Sequence, residues 1–462
     1  MKRRMILGLL LVLCSLSAMA AETKIYGVAK DYAGKKLNLL AYTDRIINDT
    51  RSIAEAEVDS AGNFTLTTNI NEVTEAFIPM DVYNGFIYLQ PGKSYEVVLP
   101  AYRERSLPMK LDPYFSPTDY LLQAKEFQKG EFNYQMMEFE EAFDFYTMKH
   151  MQWGAAIDSV QASISDLRRI FVDLDDDFQF QYKEYRYLLL LSMAPKIKQD
   201  SLIKQFNKVG ADVHNPAFWD LFNSLFDDFV QRKRDEVEIS ALFDKIIETE
   251  NVKMYFALLS NQYGLTDSNL KELVGIKLLY DLANSDIYDR QKLVDMMSKL
   301  GGGILSDNNR DLLAKVIYKS SANLMGMPIP EVEGTDTQGK LHKLSEFKGK
   351  YIYINFCNSR IDQTHKDLTI LSRFKDQYKD RLEIVNLFLF DDLNRIKSLE
   401  SNFRNKMVFL NANNSDEVKI DFGLKNIPSF MLIDKEGKFL LSRGAEPSDN
   451  LRLLMEQILL KK

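Results

Sequence analysis

The sequence predicts a multidomain chain of mixed class, joining an α+β half to an α/β half. Three observations predict it. Apolar residues alternate with a period of two up to about residue 112, and they recur with the helical period from about 115 to 324. From 325 to 462, short apolar runs take turns with helical patterns. With 462 residues, 45% of them hydrophobic and 27% charged, the chain is long enough for several domains and has the balance of a folded protein.

Residues 1–20 read as a targeting segment. Lys2, Arg3 and Arg4 form a positive start, Met5 to Leu16 a short apolar run, and Ala18-Met19-Ala20 a small-residue cleavage site. A signal peptide cut near Ala20 is expected, which places the protein in the periplasm or cell envelope. The run is short of the ~20 residues that span a bilayer. Lipid attachment at Cys14 is disfavoured, because Leu13 is not the small residue that normally precedes a lipidated cysteine. Cleavage removes three positive charges and takes the net charge from −7 to −10. An acidic chain is poorly suited to neutralising phosphates, so nucleic acid is not an expected partner. No later run reaches the ~18 apolar residues of a membrane span.

Residues 22–112 are predicted to form a β-sandwich. Leu37, Leu39 and Ala41 alternate with other residues, as do Phe64, Leu66 and Thr68, then Tyr95, Val97 and Leu99. Asp59-Ser-Ala-Gly-Asn63 and Gln90-Pro-Gly-Lys93 supply turns. Neither histidine nor cysteine occurs in the segment.

Residues 115–324 are predicted to be helical, with about six to nine helices. Phe132, Met136, Phe139 and Phe143 share one face, as do Val160, Ile164, Leu167 and Phe171. Further patterns run through 182–194, 216–230 and 270–282, and Ser306 or Asp307 is placed to cap a last helix. Glu138, Glu140 and Glu141 near His150 lack the spacing of a di-iron bundle and read as a solvated acidic face. Asp173, Asp175, Asp176 and Asp177 lack the glycine and closing glutamate of a calcium loop and read as a linker. His214, before Asn215-Pro216, reads as structural. No metal or other cofactor is expected.

Residues 325–462 open on the extended Gly326-Met-Pro-Ile-Pro330. A hairpin turn at 334–339 leads through Leu344-Ser-Glu-Phe-Lys-Gly-Lys350 to a buried strand from Tyr351 to Phe356. A polar loop and a helix over 365–379 come next. Strands at 384–390, 407–410, 431–433 and 438–441, with helices at 392–403 and 449–460, give a mixed sheet covered on both faces.

This order, with Pro328-Ile-Pro330, Leu344 to Lys350, the strand to Phe356, and Gly423 through Gly437, resembles the thioredoxin fold, in the secreted thiol–disulfide oxidoreductase and peroxiredoxin-like branch. Val58 to Phe64 and Leu89 to Lys93 look like the β-sandwich domain that precedes such domains in many secreted bacterial proteins. The resemblance implies a cis Pro428 facing the redox loop, with the Ile427 backbone open to a substrate strand. It also implies that the family's two redox cysteines correspond to Ile361 and Thr364, neither of which carries a thiol.

Only Cys357 remains after signal cleavage, so two-cysteine exchange within one chain is excluded. The expected function is therefore a non-catalytic binding or scaffolding module, holding an extended peptide or envelope protein in a groove beside Ile427, Pro428, Ile361 and Thr364. The alternative is a one-cysteine thiol oxidoreductase or peroxidase. It would use Cys357 as its thiolate, near a helix start with Arg360 and His365 close in sequence.

Overall fold

The residues that alternate in the sequence alternate in burial. Leu37, Leu39 and Ala41 are buried in one strand, and Phe64, Leu66, Thr68 and Ile70 in another, with more exposed residues between them. The computed structural model describes residues 21–459, apart from 125–127, 173–175, 286, 303–304, 379–380, 404–406, 443, 445 and 450. Residues 1–20, expected as a targeting segment and including Cys14, lie outside the described residues. Among the described residues, no helix is long and apolar enough to cross a membrane.

The chain divides into two units. The first comprises the residues up to Glu104 together with Ser116–Val316. Its strands are β1 (Ala21–Val28), β2 (Lys36–Tyr42), β3 (Thr50–Glu57), β4 (Asn63–Ile70), β5 (Thr74–Met80), β6 (Tyr83–Leu89), β7 (Ser94–Val98), β8 (Thr118–Leu121) and β9 (Gln123–Ala124). One sheet has the order β4-β1-β7-β9 and a second the order β3-β2-β5-β6-β8. Ile25, Leu66 and Val97 of the first sheet share one apolar core with Leu39, Ile78 and Leu89 of the second. The turn at 59–63 closes as its residues dictate: Asp59 Oδ1 accepts from the backbone of Ala61 at 2.9 Å and Asn63 at 2.7 Å. Gly62 has φ +93°, and a Cβ there would meet Lys30 N at 2.8 Å.

Eleven helices follow among the described residues: α1 (Phe132–Trp153), α2 (Ile157–Ile170), α3 (Asp177–Ser192), α4 (Gln199–Val209), α5 (Pro216–Phe226), α6 (Phe229–Arg232), α7 (Val237–Thr249), α8 (Val252–Tyr263), α9 (Ser268–Ala283), α10 (Arg290–Leu300) and α11 (Asp307–Ser321). This exceeds the expected six to nine. The span expected as one helix over 216–230 is two, because Asp227 leaves the helical conformation (ψ 131°) and caps the first, and Asp228, at φ 51°, precedes the second. Asn133, buried in the first turn of α1, docks that helix on the second sheet. Its amide accepts from Tyr88 N at 2.9 Å and donates to Tyr88 O at 3.0 Å.

The second unit comprises Arg105–Phe115 and the residues from Ile317 onward. The early segment carries a short helix, Leu107–Leu111. Lys419 Nζ donates to Lys110 O at 3.3 Å, and Arg105 Nη2 lies 3.4 Å from Asp416 Oδ2. The sheet is built from β10 (Glu333–Asp336), β11 (Leu341–Lys343), β12 (Tyr351–Cys357), β13 (Leu382–Phe388), β14 (Val408–Ala412), β15 (Ser429–Ile433) and β16 (Phe439–Leu441), in the order β11-β10-β14-β13-β12-β15-β16. Strands β12, β13 and β14 are parallel, and β15 runs antiparallel to β12. The helices are α12 (Asp362–Tyr378), α13 (Leu393–Glu400), α14 (Ser415–Asp421) and α15 (Leu451–Leu459).

Strand β12 is the apolar run that the sequence singles out. Its side chains feed two cores, as a strand buried on both faces must. Tyr353 and Cys357 pack with Leu368, Leu371 and Phe374 of α12. Ile352, Ile354 and Phe356 pack with Val418 of α14 and with Phe422.

Candidate functional site

The candidate site is the end of β12, the loop after it and the first turn of α12. Asn358, buried, ties the loop to the segment that follows β13: its amide donates to Leu389 O at 2.8 Å and Phe390 O at 3.2 Å. Its side-chain oxygen accepts from Arg360 N at 3.0 Å. Asp391 takes both the backbone N–H and the hydroxyl of Ser359, the latter at 2.8 Å. His365 Nε2 donates to Ser359 O at 2.8 Å. The loop is therefore held by polar side chains at almost every residue, a pre-organised turn rather than a slack connection.

Ile361 stands immediately before α12, half-buried, and Thr364 lies in its first turn, fully buried. Thr364 N donates to Ile361 O at 3.0 Å, so the two positions stack one above the other along the helix start. Thr364 Oγ1 is buried without a hydrogen-bond partner. Three residues on, Asp367 is 1% exposed. Gln363 Nε2 donates to its Oδ1 at 2.9 Å, while Oδ2 has no partner.

Burial pushes the Asp367 carboxyl above the usual range, and Glu446 adds to the rise, against the Gln363 hydrogen bond. With the native pKa raised, the unfolded chain gives up this proton first as pH rises. The native state then loses stability between the ordinary Asp value of ~3.9 and the raised native one. Asp367→Asn is expected to remove that loss. Its denaturant midpoint should gain on the wild type between acid and neutral pH, and parallel midpoint–pH curves would count against a titrating Asp367.

Cys357 is not at the helix start. It is the last residue of β12, 0% exposed, in the core beneath α12. Burial drives its thiol well above the usual range, with Asp391 and Asp367 adding to the rise. Arg360 is exposed and His365 is bound to the loop backbone. For the alternative that takes Cys357 as a thiolate favoured by the helix start, desolvation works the opposite way.

Opposite the loop, the Ile427–Pro428 peptide is cis. The ladder between β15 and β12 ends at Ser429, across from Phe356, so half-buried Ile427 and Pro428 lie just beyond the last paired residue. Chain order and strand pairing thus bring Ile361, Thr364, Ile427 and Pro428 to the same end of the sheet.

Asn358, Asp367 and Asp391 are absent from the sequence reading. Asp367 left a trace, a carboxylate on the apolar stripe that carries Leu368 and Leu371; Asn358 and Asp391 left none. In the first unit, His150 is buried with Nε2 3.1 Å from Ser163 Oγ. Exposed His214 lies 3.4 Å from Glu72. Glu140 is not on a solvated face: Arg186 pairs with it at 2.9 Å. Asp176 accepts from Phe178 N and caps α3, while 173–175 lie outside the described residues. Among the described residues, no group of three or more His, Cys, Asp or Glu could hold a metal ion.

No protein-family model matches the chain. The thiol-disulfide oxidoreductase ResA of Bacillus thuringiensis subsp. konkukian is 24% identical over 136 residues, which is 29% of this chain and 78% of that protein. ResA of Geobacillus thermodenitrificans is 21% identical over 128 residues, 28% of this chain and 73% of that protein. Two solved structures are also similar. The thioredoxin domain of a thiol-disulfide oxidoreductase from Bacteroides vulgatus is 22% identical, covering 29% of this chain and 96% of its own, with a TM-score of 0.27. A thioredoxin-like protein from Bacteroides caccae is 14% identical, covering 58% and 95%, with a TM-score of 0.35. Over 29% of its length this chain is similar to a thioredoxin-like thiol–disulfide oxidoreductase of Bacillus.

Proposed function

We propose that the thioredoxin-like part of this chain is a non-catalytic binding module of the cell envelope, keeping the fold and the peptide-facing edge of the family without its dithiol chemistry. One observation carries the reading. The only thiol among the described residues, Cys357, is fully buried and held protonated by its surroundings, while Ile361 and Thr364 occupy the loop position and the first helical turn. Exchange needs an accessible thiolate and a second thiol to resolve the mixed disulfide. The Ile427 main chain, beyond the last rung of the β15 ladder, is where an extended peptide would add as a further strand. The assignment to the cell envelope rests on Lys2 to Ala20.

The test is insulin reduction by the full chain in the presence of dithiothreitol, beside a Cys-x-x-Cys relative. The expected rate is that of dithiothreitol alone, and turnover comparable with the relative overturns the reading. Labelling of Cys357 with a chromogenic disulfide separates this from one-cysteine chemistry. Reaction is expected to be slow in the native protein and prompt in denaturant. Fast, saturable native labelling would favour the one-cysteine enzyme instead.

A further inference from the structure

The first unit holds a cavity of about 380 Å³ between its second sheet and helices α1, α3 and α5. That volume lies in the range of small-molecule sites, roughly 300–1,000 Å³. Its apolar lining is mostly aromatic: Tyr42, Phe77, Phe86, Tyr88 and Tyr182. Its charged lining is unbalanced. Glu75, Asp119, Glu140, Glu141, Asp144 and Asp220 face it with only Arg45 and Arg186 in opposition, a formal excess of four negative charges.

Both guanidiniums are already engaged. Arg45 pairs with Glu75 and sits 4.3 Å from the centre of the Tyr42 ring. Arg186 pairs with Glu140 at 2.9 Å and Asp220 at 2.8 Å, takes the Tyr182 hydroxyl at 3.0 Å, and lies 5.1 Å from that ring's centre. An incoming anion would find no uncommitted cation and would meet the excess carboxylates. Asp119, Glu141 and Asp144 are all exposed, and among the described residues none of them forms an ion pair. Twice in this one cavity the protein itself packs a cation between a carboxylate and an aromatic face, the arrangement that favours organic cations. A bare divalent metal fits poorly, since such ions want a shell of oxygens rather than ring faces.

We propose that this cavity is a binding site for a small organic amine, its ammonium groups held by Asp119, Glu141 and Asp144 and its methylene chain lying against Phe86 and Leu121. Burial raises the carboxyls of Glu75 and Glu140, and a bound cation would favour their ionised forms.

Calorimetric titration of the full chain with spermidine and with cadaverine, at low salt, tests the site; glutarate serves as the anion of similar length. Saturable one-to-one binding of the amines is expected, with none of glutarate. The Asp119→Asn/Glu141→Gln/Asp144→Asn variant changes only exposed side chains and should keep its fold. It is expected to bind at least about tenfold more weakly, which is ~1.4 kcal/mol. Phe86→Leu keeps every charge and is expected to weaken binding about threefold. No saturable heat, unchanged affinity in the triple variant, or equal binding of glutarate would overturn the proposal. Full affinity in Phe86→Leu would reduce the effect to general attraction by an acidic protein and would also overturn it.

Discussion

The Ile361→Cys/Thr364→Cys double variant is expected to form a disulfide and to reduce insulin at least about tenfold faster than the wild-type chain, equivalent to ~1.4 kcal/mol in the barrier. The geometry is in place. The two residues bracket the first turn of α12, joined by the Thr364 N to Ile361 O hydrogen bond of 3.0 Å, a separation that a disulfide can bridge. A thiol at 361 would stand at the helix N-terminus, where the dipole favours its thiolate. A thiol at 364 would replace a buried hydroxyl that has no partner, so little polar bonding is lost. Counting free thiols after mild oxidation checks the first half: Cys357 should remain and the new pair disappear. A variant that folds but keeps all its thiols free would mean that the loop no longer has the geometry of the family's redox site.

The second large effect concerns stability. Phe222→Ala is expected to destabilise the first unit by ~3–5 kcal/mol, the usual result of deleting a buried aromatic ring. Phe222 is 0% exposed and lies at the centre of a run of rings on α5, with Phe218, Trp219 and Phe226 all within 5.6 Å between centroids. Removing it leaves a cavity that its neighbours, rigid rings on one short helix, cannot close by rotation. Phe145→Ala is the matched control, since Phe145 is 64% exposed and should shift the midpoint little. Urea unfolding of both variants measures the difference, and equal midpoints would refute the assignment of Phe222 to the core.

The strands and helices of the second unit were largely legible because their signals are local. Strand β12 is an unbroken apolar run, and Leu371, Phe374 and Tyr378 keep the helical period through α12. The exceptions are the five-residue helix Leu107–Leu111 and α14, seven residues long, both too short to show a period. The one signal of α14 was the cap Asn414 followed by Ser415-Asp416-Glu417. In the helical part the sequence does not locate α4, α7 and α10, whose apolar faces are broken by Lys, Asp and Glu, nor α8, whose apolar run Met254–Leu259 shows no clean period. The site was legible only as positions. Ile361, Thr364, Ile427 and Pro428 could be marked from the chain's resemblance to a family, but burial could not. That Cys357 faces the α12 core rather than the loop depends on the parity of β12, where one step of register exchanges the two faces. The bonds of Asn358 and Asp391 join residues more than thirty positions apart and leave no local pattern. Nor could pairing partners be read, so Glu140 looked solvated when Arg186, on another helix, neutralises it.

Residues 105–115 belong with the thioredoxin-like unit although some two hundred residues of the other unit separate them from the rest of it. A gene fragment begun at the apparent linker near Gly326 would thus encode an incomplete body, without the Lys110 carbonyl that Lys419 binds or the guanidinium beside Asp416. Expression of that body in isolation calls for a permuted or spliced coding sequence that carries the stray segment along.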